Sequence, residues 1–279
     1  MSINSWSKNL VIEHWPKREP NSHKGSHGKV GIIAGSETMP GAAAICASAA
    51  VESGAGLTTV NTLRSVIPIV ASHVPEATFY YRDDELNTFL EGKDAVAAGP
   101  GLGRLSDDII EDLITNFEGP LVIDADGLYE LNKHEALIRK RDSPLIITPH
   151  AGEMARIINE DIEYVNNNRY EAAAKLASDY GIYVVLKGPE TIVAEPDGAL
   201  WVNHTGNSGL AKGGTGDVLT GIILAFIGQS KDIQPAVSNA VYMHGYAADY
   251  LIEQGEAIEA VTASKVINTL STSFQYIIN

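Results

Sequence analysis

Short apolar segments alternate with longer helical patterns along almost the whole chain. Most of the short segments lack polar alternation, which is the pattern of strands buried on both faces of a sheet. The predicted strands are Val30–Ala34, Leu57–Asn61, Ala95–Ala98, Leu121–Asp124, Leu145–Thr148, Tyr183–Leu186, Ile192–Ala194 and Leu200–Asn203. The predicted helices are Gly41–Ser53, Asp107–Phe117, Gly152–Asn159, Asn168–Tyr180, Gly216–Phe226, Pro235–Gln254 and Thr262–Ile277. This order predicts an α/β fold, with a mostly parallel sheet and helices on both of its faces.

The last two predicted strands are too close together for a crossover helix. The residues between them, Glu195-Pro196-Asp197-Gly198, form a turn sequence, so we predict an antiparallel hairpin at one edge of the sheet. The chain shows no internal repeat and no linker-like segment, which predicts one domain over residues 1–279. The segment up to Lys24 carries Trp6 and Trp15 but little periodicity. The pattern leaves open whether it packs on its own core or on a neighbouring subunit.

The composition narrows the possible partners. The chain has 279 residues and a formal net charge of −15, which argues against nucleic acid or an anionic membrane as a partner. A nucleotide stays possible, because it needs only local donors and Mg²⁺ can supply positive charge. The single cysteine, Cys46, excludes an intrachain disulfide and is expected to be buried in a helix. No signal-peptide pattern and no apolar run of membrane-spanning length is present, so we expect a cytoplasmic protein.

A glycine-rich loop that runs into an apolar helix is the most informative segment. It spans Asn207–Gly221 and contains Gly213, Gly214, Thr215 and Gly216, followed by Asp217. Glycines let backbone N–H groups approach a ligand closely, and a helix N-terminus favours phosphate oxygens. A carboxylate among these donors repels an anion, but it is useful for activating a hydroxyl that attacks phosphorus. The loop therefore predicts phosphoryl transfer, with Asp217 as the catalytic base.

Small or polar residues follow the other predicted strands, at the edge where ligands bind in open α/β sheets. Each segment has an ordinary alternative. His150 is either a loop histidine or a substrate ligand, and Asp124 and Asp126 either cap a helix or orient Mg²⁺ or substrate. Lys187 is either a surface lysine or part of a phosphate-facing loop. The segments are Gly35-Ser36, Gly99–Gly103, Asp124–Gly127, Thr148–Glu153 and Lys187–Thr191. A Walker A motif is absent from the sequence, as is the protein-kinase motif set.

Taken together, these motifs resemble the ribokinase-like superfamily and, within it, the ADP/ATP-dependent NAD(P)H-hydrate dehydratases. The matching segments occur in the order of that family from residue 23 onward. They are His23–Val30, Ala34–Ser36, Ser53–Leu57, Gly99–Gly103, Asp124–Leu128, Thr148–Met154, Leu186–Gly188, Gly206–Gly221 and Ala240–Gly245. Two positions depart from the family pattern: His27 replaces a bulky aromatic residue, and Tyr129 replaces a common asparagine.

The resemblance implies one ribokinase-like domain, Mg²⁺, and ADP or ATP as phosphate donor. It implies nucleotide contacts from Lys187, Gly188, Pro189, Glu190, Thr191 and Gly216, and we add Gly213, Gly214 and Thr215 because their N–H groups face the same phosphates. It implies substrate contacts from Gly41, Ala42, Ala43, Gly103, His150 and Asp217. It also implies a homotetramer. Relatives fused to an epimerase carry a further N-terminal domain, for which this chain is too short.

The implied substrate is the (S)-hydrate of NADH or NADPH. Hydroxide is a poor leaving group, since water is a very weak acid. Phosphorylation of the hydroxyl solves this problem, because a phosphate ester leaves far more easily. One alternative is a ribokinase-like kinase of a thiamine precursor, hydroxymethylpyrimidine or hydroxyethylthiazole. A second alternative is a nucleotide-binding sensor without catalysis, for which a base at Asp217 would have no use.

Overall fold

The computed structural model describes residues 3–104, 107–129 and 131–278. The strands are β1 (Ile3–Ser5), β2 (Lys29–Ile33), β3 (Leu57–Thr62), β4 (Thr78–Tyr81), β5 (Ala95–Ala98), β6 (Leu121–Ile123), β7 (Leu145–Ile147), β8 (Tyr183–Leu186), β9 (Thr191–Ala194) and β10 (Leu200–Asn203). The helices are α1 (Lys8–Glu13), α2 (Pro40–Glu52), α3 (Ile67–His73), α4 (Leu86–Leu90), α5 (Asp107–Asn116), α6 (Glu135–Ile138), α7 (Ala151–Ile158), α8 (Ile162–Asn167), α9 (Arg169–Tyr180), α10 (Thr215–Gln229), α11 (Ile233–Glu253) and α12 (Ala263–Ile278).

All these strands belong to one sheet, in the order β1-β10-β9-β8-β7-β6-β5-β2-β3-β4. Within the described residues, β9 alone runs antiparallel to its neighbours. The predicted hairpin is formed by β9 and β10, and its turn is closed by a hydrogen bond from the Glu195 N–H to the Ala199 carbonyl, at 2.9 Å. The predicted fold class, a mostly parallel sheet with an antiparallel hairpin towards one edge, is confirmed.

The first segment of the chain packs on its own domain. Strand β1 pairs in parallel with β10 and lies outside the hairpin. The buried Trp6 indole donates to Asn239 Oδ1 at 2.9 Å. The Asn239 amide in turn donates to the carbonyls of Val11 and His14, at 3.3 and 3.1 Å. These contacts resolve the question that the weak periodicity of this segment left open.

Helices cover both faces of the sheet, so successive strand residues are buried on opposite sides. Val122 and Ile146 pack with α2, α10, α11 and α12 on one face. Their neighbours Ile123 and Ile147 pack with α5, α7 and α9 on the other.

Helix α10, which begins at the glycine loop, crosses α2 at very short range. A Cβ atom at Gly221 would lie 2.3 Å from the Cys46 carbonyl oxygen, so this crossing requires glycine. Cys46 is a buried free cysteine in α2, as predicted. Within the described residues, none of the helices combines the length and the apolar character needed to cross a bilayer.

Candidate active site

The loops that follow the central strands are joined to one another at the carboxyl edge of the sheet. After β2, the Gly35 N–H donates to the Pro100 carbonyl in the loop after β5, at 2.9 Å. Further along that loop, the Gly103 N–H donates to Asp126 Oδ2 after β6, also at 2.9 Å. Asp126 therefore accepts from a neighbouring loop. These bonds join the segments after β2, β5 and β6 at the carboxyl edge of the sheet, and we call the space that they border the cleft.

The start of α2 forms one wall of this cleft. A Cβ at Gly101 would lie 2.8 Å from the Ala42 Cβ and from the Met39 carbonyl oxygen, so the loop after β5 presses against the first turn of α2. Gly41 borders open space, because no heavy atom lies within 4 Å of a Cβ added there. Ala43, in contrast, is fully buried. Of the three predicted substrate contacts here, Gly41 is therefore the one with room for a ligand beside it.

The glycine loop presents the N-terminus of α10 to the cleft. Gly214 has φ +89° and precedes the first helical residue. The buried Thr215 hydroxyl donates to the carbonyls of Leu210 and Lys212, at 2.7 and 2.8 Å. These bonds tie the loop to the first residue of the helix. Helix geometry leaves the first-turn N–H groups, such as that of Gly216, without intrahelical partners. They can bind phosphate oxygens, as the sequence predicted.

Asp217 lies in the first turn of α10 and is half-buried. Burial raises its pKa, and the nearby Asp124 carboxylate raises it further, while Lys187 opposes both effects; the resulting pKa is about 7. A carboxyl group with this pKa can accept a proton at neutral pH and release it again.

Asp124 and Lys187 form an ion pair beneath the glycine loop. Lys187 Nζ donates to Asp124 Oδ1 at 2.8 Å, and the Thr220 hydroxyl of α10 donates to Asp124 Oδ2 at 2.7 Å. Burial raises the pKa of Asp124, but the Lys187 charge and these hydrogen bonds outweigh it and hold the pKa below its usual value. The Asp124 side chain does not cap the following 3₁₀ helix (Ala125–Leu128). The helix-cap alternative for this residue is thus wrong.

Lys187 is not a surface lysine. Its side chain is 20% exposed, and a Cβ at Gly216 would lie 3.5 Å from Nζ. Burial lowers the pKa of Lys187, but the carboxylates of Asp124 and Glu153 outweigh this and raise it above its usual value. The Lys187 N–H donates to the Pro149 carbonyl at 2.8 Å, which ties the end of β8 to the loop after β7.

Glu153 joins this charge cluster, although we had not proposed a role for it. Its Oε2 lies 3.8 Å from Lys187 Nζ, and its side chain is 12% exposed. Burial raises the pKa of Glu153. The Thr-Pro-His-Ala-Gly-Glu segment was a signal for it, because it places an acid three residues after His150, the residue that precedes α7.

His150 is the N-cap of α7. Its Nδ1 accepts from the backbone N–H groups of Gly152 and Glu153, at 3.0 and 3.3 Å. In return, the His150 N–H donates to Glu153 Oε2 at 2.8 Å, which completes a capping box. Because Nδ1 is an acceptor, the ring carries its proton on Nε2. The imidazole is 60% exposed and its Nε2 lies 3.5 Å from Glu153 Oε1, so Nε2 faces both this carboxylate and solvent while the other nitrogen holds the helix.

The predicted nucleotide loop, residues 187–191, rests on an arginine that the sequence did not reveal. Arg169, the first residue of α9, donates to the carbonyls of Leu186 and Lys187, at 3.2 and 3.4 Å. Gly188 has φ +142°, and a Cβ there would lie 2.8 Å from the Arg169 guanidinium. Glu190, also at positive φ, pairs with His204 at 3.1 Å.

The remaining members of this loop lie at the surface or bond within the loop. Pro189 is exposed, and the Thr191 hydroxyl donates to the Gly188 carbonyl at 3.0 Å. No group of three or more His, Cys, Asp or Glu side chains in the described part of the chain is arranged to hold a metal ion.

The fold and the site together define a ribokinase-like protein. The defining features are a mostly parallel sheet, a glycine loop at a helix N-terminus and an acid close to a buried ion pair. Solved structures agree. The chain matches a ribokinase-like superfamily protein from Enterococcus faecalis with a TM-score of 0.84 and 28% identity, over 99% of this chain and 96% of that one. It matches the ADP/ATP-dependent NAD(P)H-hydrate dehydratase of Bacillus subtilis, co-crystallised with ATP and Mg²⁺, with a TM-score of 0.90 and 34% identity, over 99% of both chains.

Sequence comparison specifies the family. Residues 30–271 match the sequence model of the NAD(P)H-hydrate dehydratases. The chain is 37% identical over 262 residues to the ADP-dependent (S)-NAD(P)H-hydrate dehydratase of Bacillus subtilis, covering 92% of this chain and 93% of that protein. It is 35% identical to the bifunctional NAD(P)H-hydrate repair enzyme of Thermofilum pendens, covering 91% of this chain and 51%, or about half, of that protein. The chain belongs to the NAD(P)H-hydrate dehydratase family.

Proposed function

We propose that this protein is a hydro-lyase that converts the (S)-hydrate of NADH or NADPH back to the reduced cofactor, with ATP or ADP as phosphate donor. The observation that carries the proposal is Asp217. It is a half-buried carboxyl group with a pKa of about 7, placed at the first turn of a glycine-fronted helix. Family membership supports the substrate, because the relatives that match most of this chain bear that activity in their names.

The proposed chemistry follows from the leaving group. Asp217 takes the proton of the substrate hydroxyl, whose oxygen then forms a bond to the terminal phosphorus of the nucleotide. The bond from that phosphorus to the remaining nucleotide breaks. The electron pair of the ring nitrogen then forms a double bond to the carbon that bears the phosphate ester, and the C–O bond at this carbon breaks. Inorganic phosphate leaves and takes the former hydroxyl oxygen with it. Loss of a proton from the adjacent ring carbon restores the double bond.

The residues around Asp217 have distinct roles in this scheme. The N–H groups at the start of α10, around Gly216, stabilise negative charge on the transferring phosphoryl group. Lys187 adds a positive charge beside this helix N-terminus. Asp124 accepts a hydrogen bond from the Lys187 ammonium group and so holds it there, and Thr220 in turn donates to Asp124. His150 Nε2 donates to the substrate, and Gly41 gives the substrate room at the opposite wall.

We also propose Mg²⁺ as the metal of this reaction. Mg²⁺ usually binds through nucleotide phosphates, water and one or two carboxylates, so it does not need a ready-made protein cage. The site offers hard oxygen donors of this kind in Glu153 and Asp126. When bound, the ion would neutralise charge on the nucleotide phosphates.

The assembly and location that we propose rest on the family resemblance. We propose a cytoplasmic homotetramer in which each subunit is one domain. The continuous ten-stranded sheet supports the single domain, because its strands run from Ile3 to Asn203 and the C-terminal helices α10, α11 and α12 pack on it.

The test is to incubate the protein with hydrated NADH or NADPH, Mg²⁺ and either ADP or ATP. We expect a nucleotide-dependent rise in the near-ultraviolet absorbance of the reduced nicotinamide, with one inorganic phosphate released per cofactor restored. A thiamine-precursor kinase would instead phosphorylate hydroxymethylpyrimidine or hydroxyethylthiazole and release no phosphate. A sensor would bind nucleotide and turn over neither substrate.

A further inference from the structure

Two arginine side chains lie over the ring of Tyr129. The Arg104 guanidinium carbon is 4.7 Å from the ring centroid, and that of Arg156 is 4.6 Å away. Both arginines are exposed, while the tyrosine is half-buried. The two guanidinium groups repel each other, and the ring supplies part of the attraction that keeps them at this place. We call these three residues the arginine clamp.

In the part of the chain that the structure describes, no ion pair or hydrogen bond joins either guanidinium to a carboxylate. Arg139 provides a comparison, because it stacks on Tyr180 at 5.4 Å but also pairs with Glu135 at 2.8 Å. In a protein of net charge −15, two adjacent unpaired arginines are conspicuous. Exposed guanidinium groups of this kind match the geometry of phosphate oxygens.

The clamp stands on the same loops as the candidate active site. Arg104 directly follows Gly103, which is hydrogen-bonded to Asp126. Tyr129 directly follows the 3₁₀ helix that begins after Asp124. Arg156 lies in the last turn of α7, the helix that His150 caps. The elements that place the reacting groups therefore also place the clamp.

We propose that Arg104 and Arg156, held on Tyr129, bind a phosphate group of the dinucleotide substrate. The inference rests on the proposed function for the identity of the substrate. Two phosphate groups have the required chemistry, the diphosphate bridge of both hydrates and the 2′-phosphate that only the NADPH hydrate carries. Binding of the 2′-phosphate makes the clamp the determinant of substrate preference between the two hydrates.

The experiment compares Arg104→Gln, Arg156→Gln and the double variant with the wild-type protein. The matched control is Arg139→Gln, which removes a stacked arginine that already has a carboxylate partner. KM and kcat are measured for NADH hydrate and NADPH hydrate, at saturating nucleotide and Mg²⁺. We expect KM for NADPH hydrate to rise about 10-fold or more for each arginine removed, as for a lost charge-assisted hydrogen bond. We expect kcat and the KM for nucleotide to change little.

The two hydrates distinguish the two phosphate sources. A rise in KM confined to NADPH hydrate assigns the clamp to the 2′-phosphate, and an equal rise for both assigns it to the diphosphate. An unchanged KM for both hydrates overturns the proposal. So does a rise in the KM for nucleotide alone, or an equal effect of Arg139→Gln.

A second measurement separates this proposal from the proposed function. NADPH and NADH carry the same phosphates as their hydrates but lack the hydroxyl that would be phosphorylated, so their affinities for the same variants are measured by fluorescence titration. A wild-type protein that binds NADPH through the clamp but turns over no hydrate refutes the dehydratase activity and supports the clamp. Tyr129→Phe is expected to bind like the wild type and Tyr129→Leu more weakly, because only phenylalanine keeps the ring. Equal weakening in both, or no effect of the arginine changes on NADPH affinity, overturns the clamp.

Discussion

Lys187 Nζ lies 2.8 Å from Asp124 Oδ1, and the Asp124 side chain is only 1% exposed. The ammonium group also faces Glu153 at 3.8 Å, while the carboxylate has the Thr220 hydroxyl as its other partner. The two residues therefore differ in the counter-charge that each would keep if the other were removed. Asp124 would be left as a buried carboxylate without a counter-charge, whereas Lys187 would keep another carboxylate nearby.

Lys187→Met is expected to lower the free energy of unfolding by about 3–5 kcal/mol at neutral pH, the usual result of leaving a buried charge unpaired. Asp124→Asn is expected to cost less than half as much, because Glu153 still faces the ammonium group. Denaturant unfolding of both variants measures the difference. The matched control is Lys175→Met, which breaks an exposed pair with Asp179 and is expected to change the free energy of unfolding far less, because solvent screens the pair.

The loss in Lys187→Met also depends on pH. The pKa of Asp124 is lowered in the folded protein, so its pairing stabilises the fold above the unfolded pKa and is lost as the pH falls through the folded value. In the variant, burial without Lys187 raises the pKa of Asp124 instead, so its carboxyl is protonated at a higher pH than in the wild type. The wild-type advantage is therefore expected to shrink as the pH falls from about 7 towards about 3. A difference that stays constant from pH 7 to about pH 3 contradicts this assignment of charge.

Asp217→Asn is expected to keep the fold and most of the nucleotide affinity but to lose at least about 100-fold in kcat, the typical contribution of a positioned base. Steady-state kinetics with hydrated cofactor, together with nucleotide binding, check this. A fully active variant rules out Asp217 as the base.

The rate is expected to rise with pH and to level off above about pH 7, because the base must be ionised and the pKa of Asp217 is about 7. A profile of kcat/KM against pH checks this, with stability followed in parallel to exclude unfolding. A flat profile across neutral pH contradicts the assignment.

Stability is expected to show the opposite trend. The pKa of Asp217 is raised in the folded protein, so the group favours folding below its unfolded pKa, and this contribution is lost as the pH rises through about 7. Asp217→Asn removes the buried charge and should raise the free energy of unfolding by between about 1 and about 4 kcal/mol at about pH 8. Near pH 4 the gain should disappear, and denaturant unfolding at both pH values tests this.

Gly216→Ala is expected to fold normally and to lose about 10-fold or more in turnover. The new methyl group would lie 3.5 Å from Lys187 Nζ and 4.0 Å from Asp124 Oδ2, which are ordinary contacts. It would nevertheless occupy the space through which phosphate approaches the helix N-terminus. Gly99→Ala provides the contrast, because its Cβ would lie 1.8 Å from the Asp124 carbonyl oxygen at φ +126°. The melting temperature should therefore fall in Gly99→Ala and stay near the wild-type value in Gly216→Ala, in which only turnover falls. Equal destabilisation of the two variants contradicts this expectation.

His150→Asn and His150→Ala separate the two roles of this histidine. Asparagine is a favourable N-cap, so His150→Asn should keep the melting temperature but raise KM for the hydrated cofactor. His150→Ala should raise KM and also lose about 1 kcal/mol of stability, since α7 loses its cap. An unchanged KM in both variants restricts His150 to the structural role.

The elements that periodicity predicted are those buried on both faces, and their bounds agree with the structure closely. Ala95–Ala98, Tyr183–Leu186 and Leu200–Asn203 were predicted with the bounds observed. The missed strands, β1 and β4, are the two edges of the sheet, and the missed helices have at most seven residues each (α1, α3, α4, α6 and α8). Strand β1 has three residues, β4 is partly exposed, and α1 has six residues. Such segments are too short or too exposed for a hydrophobic period to develop.

For the site, the sequence by itself determined the components whose chemistry is local. Gly214 must adopt positive φ, the following residues start a helix, and Asp217 falls in its first turn, all within one short segment. The tertiary structure alone decided the pairing of Asp124 with Lys187, 63 residues further along the chain. It also decided the approach of Glu153, the support from Arg169 and the stacking of two arginines on Tyr129. Such contacts depend on the order and twist of the strands, because side chains far apart in sequence meet only when neighbouring strands end at the same edge.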